Sequence, residues 1–493
     1  MKFSFSPTPI QKTKSDSAIV FAYKDKSRLQ KLFSAANKSF SGKLSGLIDA
    51  ADFVGKENET AVVHLGKSAA AKRLILVGLG EWEKCSLETL RRASAAGAKK
   101  ARASKSQSVA LEVPEHKFSI EQAIAALVEG SALSLYKYDK YISKKEDEKS
   151  IGECTLCSVH SGVKRIASKA VAEAAIVSEA VILARNLANA PGNELYPQTL
   201  ADAAEEVAER NGFKCTVFEK EKIQELGMGG VLAVSQGSAK GPRFLVMEYG
   251  EAKKKPVVLV GKGVTFDSGG ISIKPSAGMA EMKMDMSGAA AVIGTFEAVS
   301  RLKLPVHLVG LIPAVENMPS GSSVRPGDIV RHYNGKTSEV DNTDAEGRLI
   351  LADALGYAER FKPAAVIDLA TLTGAVVVAL GHVVTGMMGN SQSLMDMLKE
   401  AGMQTYERVW QLPLFDEYEK LIKSDVADVK NVGGKWAGAI TAAWFLKKFI
   451  GNYSWVHLDI AGSAILEENG DYTPRGGSGV GVRLLTEFLR HWK

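Results

Sequence analysis

The sequence has few cysteines, and no apolar run near its start is long enough for a signal peptide. Four of its 493 residues are cysteines, and only Cys154 and Cys157 show the C-x-x-C spacing, without the second pair that would complete a zinc site. Free thiols in a reducing compartment are therefore expected. Lys12, Lys14 and Asp16 interrupt the first apolar stretch, so we predict a cytoplasmic protein.

A long uninterrupted hydrophobic segment is also missing. The best membrane candidate, residues 363–389, contains Asp368 and His382 and is broken by Gly374 and Gly381. A membrane-spanning helix needs about 20 consecutive apolar residues. This stretch is therefore predicted to be a buried strand followed by a helix, and no membrane partner is expected.

Two common protease motifs are absent as well. None of the eight histidines stands in an H-E-x-x-H pattern, which disfavours a zinc protease with histidine ligands. No G-x-S-x-G occurs, because residues 476–479 read Gly-Gly-Ser-Gly in the wrong register. An acyl-serine mechanism therefore lacks its best sequence support.

The chain is long enough for two or more domains, and its charge is unevenly spread. Its 45% hydrophobic and 24% charged residues are typical of a globular protein. Residues 1–170 carry a net charge of about +11 and the remainder about −5. A basic half could attract DNA. Its lysines are scattered and no aromatic ladder interleaves them, however, which favours a solvated surface.

The hydrophobic periodicity predicts an α/β protein of two domains. In the N-terminal part, strands are predicted at 17–23, 73–79 and 109–113, and helices at 87–100 and 120–134. A charge-dense stretch, 137–149, and a long alanine-rich helix, 163–186, follow. We place a smaller N-terminal α/β domain, expected to serve oligomerisation or partner contacts, at 1–165 and a larger α/β domain at 166–493.

The second domain is expected to contain a mixed, mostly parallel sheet flanked by helices, because continuous apolar strands alternate there with helical runs. The predicted strands are 256–260, 305–312, 365–369 and 453–460, and the predicted helices are 287–301, 346–361 and 437–450. Ligands of such sheets bind beyond the carboxyl ends of the strands. The polar residues that follow these strands are therefore the candidates for chemistry.

Five such residues attract attention. Lys262 ends a buried strand, and Asp267 follows on a glycine-rich loop. Methionines alternate with polar residues around Asp285, which predicts a short extended stretch, and an extended Asp344-x-Glu346 would present both carboxylates to one side. Four converging carboxylates stay ionised only with positive charge among them. Mn²⁺, Mg²⁺ or Zn²⁺ would supply it, although a turn residue at 267 and helix caps at 285 and 344 remain an alternative.

The surrounding sequence resembles the leucyl aminopeptidase family, peptidase family M17, over residues 170–493. The resemblance rests on the eight-residue signature at 342–349 (Asn-Thr-Asp-Ala-Glu-Gly-Arg-Leu) and on the blocks at 186–197, 261–270, 282–289 and 368–374. It implies an exopeptidase that releases Leu and other hydrophobic residues from the free N-terminus of peptides. It also implies a homohexamer. The N-terminal 165 residues match in general character only.

The same resemblance implies the role of each site residue. The metal ligands would be Lys262, Asp267, Asp285, Asp344 and Glu346. Asp267 and Glu346 would bridge two ions, Lys262 and Asp285 would complete one site, and Asp344 the other. In the family, a water bridging the two ions attacks the scissile carbonyl, Lys274 stabilises the oxyanion, and Arg348 holds a bicarbonate that shuttles the proton.

The first side-chain pocket is expected to be apolar. Its candidate substrate-binding residues are Met282, Asn342, Thr371, Gly374 and Ala461, for which plain core packing remains an equal alternative. A methionine lining adapts to different side chains and favours broad hydrophobic preference. Two rival functions stay open: another two-metal hydrolase, such as a phosphatase or amidohydrolase, and a DNA-binding role of the basic domain.

Overall fold

The computed structural model describes residues 1–25, 28, 53–66, 69–143, 150–158 and 161–492, and these form two compact units. One unit is Met1–Glu179 with Asn469–Pro474, and the other is Ala180–Glu468 with Arg475–Lys493. The chain thus passes twice through the first unit. Both units are α/β, as predicted from the periodicity.

The first unit is built on a sheet of six described strands. They are β1 (Lys2–Ser6), β2 (Ser15–Tyr23), β3 (Thr60–His64), β4 (Ala71–Gly80), β5 (Ser108–Glu112) and β6 (Glu153–Cys157). Their order is β1-β6-β5-β2-β4-β3, and every neighbouring pair is parallel except β3 with β4. A parallel sheet is buried on both faces, which explains why β2 and β4 are almost continuously apolar.

Three long helices accompany this sheet: α1 (Leu87–Ala103), α2 (Ile120–Ser134) and α3 (Lys164–Asn189), of which α3 continues past Glu179 into the second unit. Ser86 and Ser119 begin the first two, since each serine side chain accepts a hydrogen bond from the backbone N–H three residues later. The predicted helices are confirmed, with α1 and α3 each ending three residues later than expected. Of the charge-dense stretch, residues 137–143 form neither helix nor strand, and 144–149 lie outside the described residues.

The C-x-x-C pair lies in a strand of this first sheet. Cys154 and Cys157 both belong to β6, and both are buried free thiols. Residues three apart on a strand point to opposite faces. Cys154 accordingly packs in one hydrophobic cluster and Cys157 in another. The arrangement agrees with the expectation of free structural thiols.

The second unit contains a larger mixed sheet. Its strands are β7 (Lys214–Phe218), β8 (Arg243–Tyr249), β9 (Val257–Gly261), β10 (Gly263–Asp267), β11 (Leu308–Asn317), β14 (Ala365–Ala370), β15 (Thr385–Gly389), β16 (Val409–Gln411) and β18 (Ser454–Asp459). The order is β16-β15-β18-β14-β9-β11-β8-β7, with β10 also paired to β11. The shorter strands are β12 (Ile329–Arg331), β13 (Thr337–Glu339), β17 (Val429–Lys430), β19 (Ile465–Leu466) and β20 (Gly476–Gly477).

Helices of the second unit accompany this sheet. They are α4 (Pro197–Asn211), α5 (Lys220–Glu225), α6 (Gly229–Ser235), α7 (Ser287–Leu302), α8 (Gly347–Ala358), α9 (Gly374–Leu380), α10 (Gln392–Thr405), α11 (Gly438–Lys447), α12 (Ala461–Ala464) and α13 (Val482–Arg490). The stretch 363–389 forms β14, α9 and β15, so the strand-plus-helix prediction is confirmed. Among the described residues, no helix combines the length and the apolar character that crossing a membrane requires.

The strands β9 and β10 are separated by a break at Lys262, where the candidate site begins. β9 and β10 both run parallel to β11, on either side of Lys262. Of these two strands, only β9 pairs with β14, from Ala365↔Val257 to Leu369↔Gly261. The sheet therefore opens after Gly261, on the side where β14 ends. Lys262 lies at this opening, between the end of β9 and the start of β10.

One predicted strand had the wrong limits. The strand expected at 305–312 begins at Leu308 and continues to Asn317. It starts late because Pro305 has no N–H to donate. It runs further because β10 supplies a partner as far as Asn317, and Asn317 thereby reaches the edge where the site lies.

A buried carboxylate anchors the last helix of the second unit. Glu407 Oε2 accepts hydrogen bonds from the backbone N–H groups of Gly481 and Leu484, both at 2.9 Å, and Oε1 accepts from Arg483 Nε at 3.1 Å. Glu407 is 7% exposed. Its negative charge also lies at the N-terminus of α13, where the helix dipole favours it.

Glu407→Gln is expected to lower the free energy of unfolding by about 3 kcal/mol, because it removes the negative charge of a buried, hydrogen-bonded ion pair. Urea denaturation monitored by circular dichroism measures the change. Glu417→Gln, at an exposed glutamate of the same unit, is the control and should change the value little. Equal stability of the two variants would show that Glu407 does not anchor the helix.

Candidate metal centre

Lys262 lies at the centre of an acidic group of side chains, and 3% of its surface is exposed. Its Nζ is 2.7 Å from Asp285 Oδ2 and 2.8 Å from Glu346 Oε1. The same nitrogen donates a hydrogen bond to the carbonyl of Thr371 at 2.9 Å. Gly347 permits this approach, because a Cβ at that position would lie 2.4 Å from Lys262 Cε.

Lys274 occupies a comparable position beside two further acids. Its Nζ is 2.8 Å from Asp267 Oδ2 and 2.5 Å from Asp344 Oδ1. The backbone N–H of Lys274 donates to the carbonyl of Ser268 at 2.9 Å, which closes a tight loop after β10. Gly269 and Gly270 have φ angles of +87° and +64°, a left-handed conformation that glycine adopts without strain.

The acids themselves lie close together. One carboxylate oxygen from each of Asp267, Asp344 and Glu346 lies within 4.8 Å of the other two, and Asp285 joins the group through Lys262. The structure therefore brings together the six residues predicted as metal ligands and oxyanion donor. They come from four separate segments: the break after β9, the loop after β10, the start of α7 and the start of α8.

Burial dominates the electrostatics of this group. It raises the pKa of Asp285 well above its ordinary value and also raises the pKa values of Asp267 and Asp344, while neighbouring carboxylates add to the shift for Asp285 and Asp267. Burial by itself would lower the pKa of Lys262, but the charges of Asp285, Glu346 and Asp267 raise it above its usual range. Burial likewise opposes, and neighbouring carboxylates cause, a raised pKa of Lys274; the charge of Asp267 has the largest raising effect. Four carboxylates face two lysine ammonium groups here, and bound cations would neutralise the remaining negative charge.

The donor set fits divalent metal ions. Asp285 Oδ2, Asp344 Oδ1 and Glu346 Oε1 are buried and receive no well-directed hydrogen bond, although each lies within 2.8 Å of a lysine nitrogen. Buried carboxylate oxygens normally find hydrogen-bond donors or ions. Oxygen-rich ligand sets without cysteine or histidine suit hard and borderline cations.

Arg348 lies beside this group on the first turn of α8. Its Nη1 donates to the carbonyl of Asn431 at 2.5 Å, and its buried Nε has no hydrogen-bond partner among the described residues. Burial lowers its pKa to about 10, against the opposing effect of Glu346 and Asp459. A buried guanidinium with an unused donor is suited to a small anion.

Of the expected substrate-binding residues, Thr371 contacts the acidic group directly. Thr371 Oγ1 donates to Asp285 Oδ1 at 2.6 Å. Gly374 begins α9, and a Cβ there would meet no atom within 4 Å. Met282 is half-buried, and Ala461 begins α12, close to the end of β18. Asn342 instead supports its own turn, because its Oδ1 accepts from the backbone N–H of Asp344 at 2.8 Å.

Two predictions of local conformation were wrong. The stretch before Asp285 is a 3-10 helix, Met279–Met284, rather than an extended strand. It begins after Gly278, whose φ of +81° turns the chain. Asp344 lies in a turn, and Glu346 is already helical with φ −76° and ψ −38°. The carboxylates converge because this turn leads directly into α8.

Three buried polar residues near the site were missed by the sequence analysis. Asn317 Nδ2 donates to Asp267 Oδ1 at 2.8 Å and to the carbonyl of Thr343 at 3.0 Å. Asp459 accepts from the backbone N–H groups of Leu372 and Ala461, and Asn431 contacts the segment around Asp344. Asn317 and Asp459 both end strands, so the rule that marks polar residues at strand ends would have found them.

Comparison with known proteins gives a consistent family. Residues 182–486 match the catalytic domain of the cytosol aminopeptidase family, Peptidase_M17, and residues 19–145 match its N-terminal domain. A probable cytosol aminopeptidase of Geobacter sp. is 48% identical and covers 93% of this chain and 94% of its own. Another from Geotalea uraniireducens is 46% identical and covers 94% of each chain.

Solved structures show the same likeness in three dimensions. The bottromycin maturation enzyme BotP in complex with Mn is similar with a TM-score of 0.86 and 34% identity, over 96% of this chain and 99% of that one. A mutant of tomato leucine aminopeptidase is similar with a TM-score of 0.89 and 31% identity, over 100% of this chain and 97% of that one. Both cover the two units described above.

Proposed function

Because the chain belongs to the cytosol aminopeptidase family, peptidase family M17, we propose that it is a metal-dependent leucyl aminopeptidase that releases single residues from the free N-terminus of peptides. Membership of the family makes it an aminopeptidase, a hydrolase of peptide bonds. The finer assignment depends on one observation: carboxylate oxygens of Asp267, Asp344 and Glu346 lie within 4.8 Å of one another, beside Lys262 and Asp285.

The proposed ligands of two divalent ions are Lys262, Asp267, Asp285, Asp344 and Glu346. Asp267 and Glu346 lie centrally and would be shared between the ions, while Lys262 with Asp285 and Asp344 would complete the two sites. When bound, the ions would neutralise the buried acids, polarise the scissile carbonyl and acidify the attacking water. The similar BotP structure is a complex with Mn, which supports Mn²⁺ here, with Zn²⁺ as the alternative.

Lys262 has to lose its proton to act as a ligand. Without metal its ammonium group is held by Asp285 and Glu346, whose charges raise its pKa. Cations bound to these same carboxylates would cancel that effect, and burial then favours the neutral amine. Metal binding at this lysine is therefore expected to release a proton.

Lys274 and Arg348 are the proposed catalytic groups. Lys274 is 20% exposed in its side chain and contacts both Asp267 and Asp344, so it can reach a carbonyl placed over the acids and stabilise its developing negative charge. Arg348 would bind bicarbonate through its unpartnered Nε. The bound anion would accept a proton beside the acids and pass it on.

The proposed first side-chain pocket explains a preference for Leu and other hydrophobic residues. Met282, Thr371, Gly374 and Ala461 would form its walls, and the open space beside Gly374 leaves room for a side chain. A methionine in the wall adapts to several shapes. The homohexamer, which the family resemblance implies, and the cytoplasmic location stay predictions, and binding of DNA by the basic first domain stays an open alternative.

Removal of metal is expected to abolish hydrolysis of leucyl amide, and addition of Mn²⁺ or Zn²⁺ to restore it. Without the ions, Lys262 and Lys274 occupy the acids, and no group among these side chains activates water. Product release is measured on the purified protein before chelation, after chelation and after each metal is added. An aryl phosphate is the second substrate, since phosphatase activity would favour the rival hydrolase. Leucyl amide hydrolysis that is indifferent to chelation contradicts the proposal.

A further inference from the structure

Asn431 has no assigned role, yet its side chain makes four hydrogen bonds to the segment that leads to Asp344 and Glu346. This asparagine follows β17 and is completely buried. Its Oδ1 accepts hydrogen bonds from the backbone N–H groups of Asp341 at 2.8 Å and Asn342 at 3.2 Å. Its Nδ2 donates to the carbonyls of Asn342 at 2.8 Å and Ala345 at 3.3 Å.

These four bonds exhaust the hydrogen-bonding capacity of an asparagine side chain, which has two donors and two acceptor sites. All of them go to the backbone of residues 341–345. That segment lies between β13 and α8 and belongs to neither, so its backbone groups have no ladder partners of their own. Asn431 therefore supplies the partners that a strand or helix would otherwise provide.

The backbone of Asn431 adds two further contacts. Its N–H donates to the carbonyl of Glu339 at 2.9 Å, which anchors it to β13. Its carbonyl accepts from Arg348 Nη1 at 2.5 Å. One residue thus holds both the acidic segment and the guanidinium group that follows it.

We infer that Asn431 is a positioning residue of the metal centre, which sets the places of Asp344 and Glu346 through the backbone of residues 341–345. The inference rests on the proposed function, since it concerns ligands assigned there. Outer residues that orient metal ligands commonly contribute 10- to 100-fold to metal affinity, so about that loss is expected when the four bonds are removed.

The fold should survive the substitution, because the segment has a second attachment. Thr343 Oγ1 donates to the carbonyl of Gly269 at 2.6 Å, and Asn317 Nδ2 donates to the carbonyl of Thr343 at 3.0 Å. These bonds tie residue 343 to the loop after β10 and to the end of β11, independently of Asn431. Loss of Asn431 is therefore expected to loosen the carboxylates rather than to release the segment.

The test is a titration of chelator-treated protein with MnCl₂, in which the electron paramagnetic resonance signal of free Mn²⁺ reports binding. Asn431→Ala is expected to raise the dissociation constant by about 10- to 100-fold. Asn431→Asp keeps both acceptors and loses both donors, and it adds a negative charge. Its charge alone would tighten Mn²⁺ binding, whereas loss of positioning weakens it, so a weaker affinity in this second variant supports the inference.

Asn390→Ala is the matched control. Asn390 also bonds two backbone groups, accepting from Trp455 N at 2.7 Å and donating to the carbonyl of Tyr453 at 3.0 Å, but it lies at the opposite end of β18 from the site. The Asn390→Ala variant should have a lower thermal unfolding temperature and an Mn²⁺ affinity within about twofold of that of the unsubstituted protein. Mn²⁺ affinity within twofold of the unsubstituted protein in both Asn431 variants overturns the inference alone. Failure of the unsubstituted protein to bind Mn²⁺ overturns the proposed function and this inference with it.

Discussion

Replacement of Glu346 by alanine is expected to abolish aminopeptidase turnover while the protein remains folded, and Asp344→Ala should do the same. Glu346 is 2% exposed, and its Oε1 is 2.8 Å from Lys262 Nζ, at the point where the two proposed ion sites meet. Loss of a shared ligand removes metal-derived stabilisation of several kcal/mol. At about 1.4 kcal/mol per tenfold, this corresponds to roughly 10³-fold or more in rate.

The measurement is hydrolysis of leucyl amide at saturating Mn²⁺, together with the MnCl₂ titration and a circular dichroism spectrum of each variant. Glu346→Gln keeps the shape of the side chain and removes its charge, which separates ligation from packing. Asp341→Asn changes an exposed acid of the same loop and should retain full activity. A Glu346→Ala protein that hydrolyses the amide at the unsubstituted rate would refute the metal assignment.

Replacement of Lys274 by alanine is expected to lower kcat by roughly 10²–10³-fold, as for the loss of one oxyanion donor. KM should change little, because the proposed interaction forms with the tetrahedral intermediate and only weakly with the bound substrate. The ion pairs of Lys274 with Asp267 and Asp344 also disappear. Mn²⁺ affinity should therefore be retained or increase, since a competing cation has been removed.

Steady-state kinetics and the MnCl₂ titration together test this prediction. Lys274→Met, which keeps most of the side-chain volume, should behave as Lys274→Ala does. Lys254→Met, at an exposed lysine before β9, is the control without an expected effect. If kcat stays unchanged in Lys274→Ala, the oxyanion role is wrong. If kcat falls together with Mn²⁺ affinity, Lys274 contributes to the metal site instead.

Local pattern predicted most of the fold because the strands and helices here have strong periodicity. Continuous apolar runs identified β9, β14 and β18, and serine caps agree with the starts of α1 and α2. The strand expected at 305–312 was displaced to Leu308–Asn317, because its length depends on pairing with β10 and not on its own composition. The 3-10 helix before Asp285 was missed since alternation of methionine and polar residues also suits a strand.

The sequence alone identified the side chains that are proposed to carry the chemistry. The acids, Lys262, Lys274 and Arg348 stand in short motifs, and a motif is readable because its residues are neighbours along the chain. Tertiary structure decided how these motifs meet: the break at Lys262, the turn that aims Asp344 and Glu346 together, and Asn431, which lies about 90 residues from the segment it holds. Contacts over such separations arise from packing of the sheet and its loops, and no local periodicity encodes them.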